Sequence, residues 1–160
     1  NIDKLVRQKL WKERSKRVWP LIDDKVLCDW NALAIESLAK ASKWLNSDKL
    51  LIRAKRIANQ LIKLLWSEKT LYHHGRNGQH GQVAAYLSDY AYLARALISL
   101  SRVTGESSHI EKAHKLLKIG WKNFYDEKSK NLFNSSDEHQ DLIFRVPDII
   151  LPSTLLKNGY

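Results

Sequence analysis

A chain of 160 residues with 44% apolar side chains and six tryptophans holds enough hydrophobic material for one packed domain, which excludes a disordered polymer. Its one cysteine excludes an internal disulfide framework and fits a reducing, cytoplasmic setting, and no apolar run approaches the roughly 18 residues of a membrane span. The net charge of +10 admits nucleic acid as a partner, so the location of that charge has to be read along the chain.

Residues 2–17 are predicted as a first helix. It holds Lys4, Arg7, Lys9, Lys12, Arg14, Lys16 and Arg17 against Asp3 and Glu13, and so carries +5 of the total. Lys49, Arg53, Lys55, Arg56 and Lys63 lie on the polar side of a later helix. No zinc-finger spacing, RNP motif or Gly-rich phosphate loop accompanies these residues. They read as a solvated basic face, with nucleic-acid binding kept as an alternative. The opening Asn1-Ile2-Asp3-Lys4 leads straight into this helix and does not read as a signal peptide. The sequence holds no methionine, so Asn1 is not expected to be a natural start, and the chain reads as a fragment or processed product.

Residues 18–29 are irregular, with Pro20 as a breaker. A second helix is expected over 30–45, with Trp30, Leu33, Ala34, Leu38, Ala41 and Leu45 at helical spacing and Asp29 as its N-cap. Asn46-Ser47-Asp48 is a tight link into a third helix running to about Trp66. A long connector, 67–83, contains Asn77-Gly78, the strongest short hairpin signal. The fourth helix spans 84–104 and ends at Gly105 as C-cap, and Ser107 or Ser108 is expected to cap a fifth over 109–125. A second long connector, 126–148, leads to Leu151-Pro152-Ser153-Thr154, which reads as the start of a further helix.

Two stretches repeat. Asp29-Trp30 answers Asp89-Tyr90; Leu33, Ala34 and Leu38 answer Leu93, Ala94 and Ile98; Trp66 answers Tyr125; Leu71-Tyr72 answers Leu132-Phe133. The period of about 60 residues suits a pair of helices plus a long connector. Antiparallel helices place alternate links at opposite ends. The short links therefore share one end and the long links share the other, where function is expected to concentrate.

The long-loop end collects carboxylates, aromatics and arginine, a set that suits a polyol or sugar. Aromatic faces stack on the ring, while carboxylates accept hydroxyl hydrogen bonds or act as acid and base. Each candidate also has a structural reading. Asp23-Asp24-Lys25 can be a turn with a local ion pair. Asp29 and Asp89 can be caps, and Trp30 and Tyr90 core. His73, His74 and His80 can be zinc ligands, but a hairpin with three histidines and no supporting cysteine is a thin metal signal, and no metal or cofactor is expected. Cys28 reads as a buried thiol.

The segments RSKRVWPLIDDKVLCDWNALAIESLAKA (14–41), YLSDYAYLARAL (86–97) and SSDEHQDLIFR (135–145), with LPST (151–154), resemble the helical region of the spermatogenesis-associated, thioredoxin-domain family. The resemblance implies an all-α fold over residues 1–160. It would be an incomplete (α/α)6 toroid, with hairpins at about 30–66 and 84–125, similar to six-hairpin glycosidases and N-acylglucosamine 2-epimerases. No thioredoxin-like domain accompanies it here. On that basis Asp23, Asp24 and Asp89 are the candidate acid/base groups. Lys25, Trp30, Asn31, Tyr90, Asp141 and Arg145 are the candidate substrate contacts. The chain departs from the family at Ser88, where a glutamate is usual, and near 145–155, where it reads as a few residues short of the family pattern. The expected function is that of a fragment of a sugar hydrolase or epimerase, with a helical scaffold for a protein partner as the alternative. The open edge of an unfinished ring is expected to expose apolar faces. It would then associate with another copy or with missing parts of the chain.

Overall fold

The computed structural model describes residues 2–67 and 69–136. Asp141, Arg145 and the expected helix start at Leu151–Thr154 lie outside the described residues.

The elements follow the predicted order. Helix α1 (Ile2–Ser15) has no buried residue, and its charge faces solvent. After β1 (Val26–Leu27) come α2 (Cys28–Trp44) and α3 (Asp48–Leu65). A hairpin of β2 (His74–Arg76) and β3 (Gln79–His80) precedes α4 (Leu87–Thr104) and α5 (Ser107–Phe124). A second hairpin, β4 (Tyr125–Asp126) and β5 (Asn131–Leu132), follows. Among the described residues no helix is long and apolar enough to cross a membrane.

The turn chemistry works where it was expected. Asn77 (φ 52°) and Gly78 (φ 77°) both take the left-handed conformation that a two-residue hairpin loop demands. Gly105 closes α4 at φ 75°. The caps differ from expectation. Helix α2 begins at Cys28, with Leu27 as its cap, so Asp29 sits inside the first turn instead of capping it. Helix α5 is preceded by Glu106, not Ser107 or Ser108, and the Glu106 carboxylate accepts a 2.6 Å bond from Lys55 on α3.

Helices α2 and α4 pack side by side and run parallel, with α3 behind α2 and α5 behind α4. Small residues at the crossings let the backbones approach. Ala32, Ala39, Ala54, Ala58, Ala94, Ala96 and Ala113 are all buried, and Ile35, Leu61, Leu65, Leu93, Leu97, Leu100, Leu116 and Phe124 fill the space between. The short links share one end. At the other end β1 pairs with β2, which ties the entry to α2 to the connector after α3. The repeat is also visible in the backbone. The bridge Trp66–Leu71 in the first unit is answered by the pairing of Tyr125 with Leu132 in the second.

The two parallel helices are buried on different faces. Trp30, Leu33, Ser37 and Lys40 of α2 are exposed, whereas their counterparts Tyr90, Leu93, Leu97 and Leu100 of α4 are buried. Conversely, Ala32 and Ile35 are fully buried, while their counterparts Tyr92 and Arg95 are not. Each helix is covered on the side where the other lies. The expectation that Trp30 belongs to the core therefore fails: it is 69% exposed, because nothing among the described residues packs on that side of α2.

One ion-pair network crosses the α2–α4 contact. Glu36, buried among the helices, accepts from Lys40 at 2.6 Å and from Arg95 at 2.7 Å. Burial pushes its carboxyl up, but the two hydrogen bonds and the charges behind them outweigh that and hold it below the usual value. The stability it contributes is therefore present above the ordinary glutamate range and lost as pH falls through the lowered value. Both cations are more than half exposed, which limits the term to about 1 kcal/mol. Glu36→Gln should lower the urea midpoint near neutral pH and lose that deficit near pH 3. A deficit that is unchanged in acid would contradict this assignment.

Candidate functional site

The long-loop end is built around Asp89, the third residue of α4. Its side chain is wholly buried. One carboxylate oxygen accepts the Tyr86 N–H at 2.8 Å, closing the first turn of α4. The same oxygen meets His73 Nδ1 at 2.9 Å. The other oxygen accepts the Asp29 N–H at 3.1 Å, 60 residues away in sequence, and so joins the N-termini of α2 and α4. Burial pushes the Asp89 carboxyl up, while the Tyr86 N–H and His73 pull the other way.

His73 is held from several sides. Its N–H donates to Val83 O at 3.0 Å and its carbonyl accepts the Cys28 N–H at 2.8 Å. The ring stands edge-on to Tyr86, with centroids 5.1 Å apart, and edge-on to His74 at 6.0 Å. With Nδ1 engaged by Asp89, Nε2 is the ring nitrogen left for another group, on a side chain that is 25% exposed. Gly75, two residues on, lets this strand lie against α3. A Cβ there would sit 2.9 Å from Leu64 and from Gln79 O. Gly75→Val should therefore cost about 1–3 kcal/mol in overpacking, read as a fall in Tm, and an unchanged Tm would show the strand can move aside freely.

Asp29 is half-buried next to this pair, and its Oδ1 accepts the Trp30 N–H at 2.7 Å. Asp29, His73 and Asp89 bring three ligand-type atoms within 4.8 Å of one another. Both Asp89 oxygens already accept backbone N–H bonds, so a cation would have to compete with the caps of two helices. His80 stacks on Tyr72 with centroids 3.8 Å apart, which separates its role from that of His73. The Cys28 thiol is pushed far up by burial, with the nearby Asp89 and Asp29 charges adding to it, and is no nucleophile.

The remaining sequence-predicted residues divide by exposure. Asp23 and Lys25 form the local turn pair at 3.1 Å, and that hydrogen bond draws the exposed Asp23 carboxyl below its usual value. Asp24 pairs with Arg76 across from the hairpin. Both aspartates face solvent while Asp89 is wholly buried, so the three carboxylates are not presented on one surface. Asn31 donates to Leu27 O at 2.7 Å and fixes the first turn of α2. Tyr90 is 3% exposed, packs against Phe124, and accepts the Leu71 N–H on its hydroxyl at 3.2 Å. A ring so placed is core and cannot be a stacking platform. Trp30, exposed at the same end, can. Sequence reasoning placed His73 at the long-loop end and weighed it as a zinc ligand, without singling it out as a base; its partner lies 16 residues downstream, at a spacing no local motif marks.

No protein-family model matches the chain. An uncharacterised protein of Caenorhabditis elegans is 31% identical over 136 residues, covering 81% of this chain and 19% of its own length. Spermatogenesis-associated protein 20 of Rattus norvegicus is 31% identical over 152 residues, covering 88% of this chain and 19% of that protein. The Homo sapiens protein of the same name is 29% identical over 144 residues. The chain thus spans about a fifth of the length of the curated relatives it matches. Among solved structures, a sugar epimerase from a ruminal bacterium superposes with a TM-score of 0.62 at 18% identity, over 69% of this chain and 29% of that one. Cellobiose 2-epimerase from Bacillus thermoamylovorans superposes with a TM-score of 0.61 at 15% identity, over 70% of this chain and 32% of that one.

Proposed function

The chain is a homologue of spermatogenesis-associated protein 20 over about a fifth of that protein and folds as part of an (α/α)6 toroid, and from that premise we propose that it is the segment of a carbohydrate-active toroid that supplies an acid–base histidine. The observation that carries this reading is the Asp89–His73 pair. A buried carboxylate fixes one ring nitrogen and leaves the other directed away from it, at the N-terminal end shared by the two parallel helices. That arrangement orients a general base. In a reaction of the epimerase class, His73 Nε2 would take the proton from the carbon next to a sugar carbonyl, leaving an enediolate, and an acid from elsewhere in the ring would deliver a proton to the opposite face. Trp30 would offer the apolar platform for the ring, with Lys25 and Asn31 beside it, and Asp23 and Asp24 at the rim. A hydrolase reading uses the same histidine with a carboxylate from elsewhere in the ring.

The likeness to sugar epimerases is a likeness of fold, and chemistry has to be argued from the site. The test is a titration of the chain with glucose, mannose, N-acetylglucosamine and cellobiose, following the His73 ring resonances. It is paired with a search for deuterium incorporation next to the carbonyl in heavy water. Sugar-dependent shifts at His73 support a carbohydrate site, and exchange selects the epimerase class. Silence at His73 for all four sugars would leave the scaffold reading, which the exposed Trp44, Leu117 and Trp121 favour.

A further inference from the structure

The fold sorts charge between its two pairs of helices. The parallel pair, α2 and α4, holds Lys40, Lys43, Arg95 and Arg102 against Asp29, Glu36 and Asp89, a net +1. The helices behind them are strongly basic. Helix α3 holds Lys49, Arg53, Lys55, Arg56 and Lys63 against Asp48, and α5 holds Lys112, Lys115, Lys118 and Lys122 against Glu111, a net +7. Of these α3 and α5 cations only Lys55 has a carboxylate partner among the described residues, Glu106. The internal repeat gives the charge a register. With Ala54 set on Ala113, both buried, Arg53 answers Lys112, Arg56 answers Lys115 and Lys63 answers Lys122. Burial explains why the alanines recur. Core packing asks for no cation at the other three positions, so their recurrence belongs to the surface.

The second copy of the set lies on a groove. The turn after α3 and the flank of α5 enclose two cavities in succession. One of about 440 Å³ is lined by Trp66, Ser67, Lys112 and Lys115. The next, of about 470 Å³, has Lys69, Thr70, Lys122 and Asn123 on its walls. Among the described residues no carboxylate lines either cavity. The groove lies between the two units and not at either open edge of the ring. Lys112 and Lys122 are about 15 Å apart along the helix. Four ammonium groups spread over that length suit a row of negative charges. A single phosphate ion would meet two of them at most, and a flat bilayer surface does not enter a groove. We propose that this groove binds the phosphate backbone of a nucleic-acid strand, without regard to base sequence. Ammonium groups meet phosphates as point charges, and each contact releases a counterion held by the polyanion. Arginine forks, which read guanine, are absent from the described walls.

The test is fluorescence anisotropy of the full chain with labelled oligothymidylate and with a labelled mixed-sequence strand, over a range of KCl. The two strands should bind within about threefold of each other, and log affinity should fall with log salt at a slope of about −3, roughly 0.7 for each of four lysines. Lys112→Gln with Lys115→Gln and Lys122→Gln should weaken binding at least about tenfold at about 50 mM salt and bring the slope to about −1. Lys112→Arg with Lys115→Arg and Lys122→Arg should keep the affinity within about threefold, since charge alone is read. Lys4→Gln with Lys9→Gln and Lys12→Gln removes the same charge from α1 and should cost less than about threefold. Helical circular dichroism checks each variant, and Lys115→Gln with Lys122→Gln, both at exposed positions, replaces the first triple should it lose helix. The proposal is overturned if neither strand binds at that salt, if one strand is strongly preferred, or if the arginine variant loses binding. It is equally overturned if the α1 variant loses as much as the α5 variant. Displacement of the strand by phosphatidylserine vesicles that bind the parent and not the α5 variant would also overturn it, and would mark a lipid surface as the partner.

Discussion

Asp89→Ala is expected to remove about 3–5 kcal/mol of stability, the cost of breaking a buried charged hydrogen-bond network by deleting one partner. The carboxylate accepts the Tyr86 N–H, the Asp29 N–H and a bond with His73 Nδ1, and it is wholly buried. Alanine removes, at a fully buried position, the one acceptor that the Tyr86 N–H, the Asp29 N–H and His73 share. It uncaps α4 and unfastens the start of α2 in one step, so the damage is not confined to one helix. Asp89→Asn should cost less, about 2 kcal/mol, because the amide keeps one acceptor oxygen and turns an amine toward a backbone N–H. In a chain of this size each kcal/mol shifts Tm by about 2–4 °C, so the alanine variant should melt roughly 6–20 °C lower. Asp29→Ala is the control: Asp29 uses its own backbone N–H, not its side chain, to reach Asp89, and its replacement should cost about 1 kcal/mol or less. Equal losses for Asp29→Ala and Asp89→Ala would overturn the claim that Asp89 is the joint between the two units.

The contrast between these two aspartates measures how far the sequence could be read. Their equivalence was legible, because the flanking apolar residues repeat at helical spacing. The pairing of helices, the grouping of long links at one end, the Asn77-Gly78 turn and the Gly105 cap were legible too, since each rests on local periodicity or backbone conformation. What the repeat could not supply was the neighbour of each helix. Trp30 and Tyr90 occupy the same place in the repeat, yet one is exposed and the other buried, because α4 has a partner on the side where α2 has none. The same asymmetry makes Asp29 a half-exposed first-turn residue and Asp89 a buried hub. Glu36 and Arg95 were not singled out at all, since an ion pair between residues 59 apart leaves no local signature. The site residues that were carried over from resemblance, Asp23 and Asp24, turned out to face solvent. The histidine that the buried carboxylate holds stood at the long-loop end as one of three in a hairpin, with nothing in the sequence to mark it from the other two.

That histidine gives the sharpest separation of chemistry from stability. His73→Gln keeps a polar side chain near Asp89 but removes the ring nitrogen that could exchange a proton. Its cost to stability should be modest, about 1 kcal/mol, because the two backbone N–H donors still satisfy Asp89 and the side chain is 25% exposed. Its effect on any proton transfer next to a sugar carbonyl should be far larger, about a 10²–10⁴-fold loss in kcat with KM nearly unchanged, the usual contribution of a positioned general base. His73→Ala should show the same loss and recover part of the rate with added imidazole, which a merely structural role would not allow. His74→Gln provides the comparison, since His74 meets His73 edge-on but does not touch Asp89 in the same way. Deuterium incorporation from heavy water reads all three variants without assuming a product. If His73→Gln retains more than half of the parent rate, or if His74→Gln loses as much, the histidine held by Asp89 is a fastening of the long-loop end and not its base.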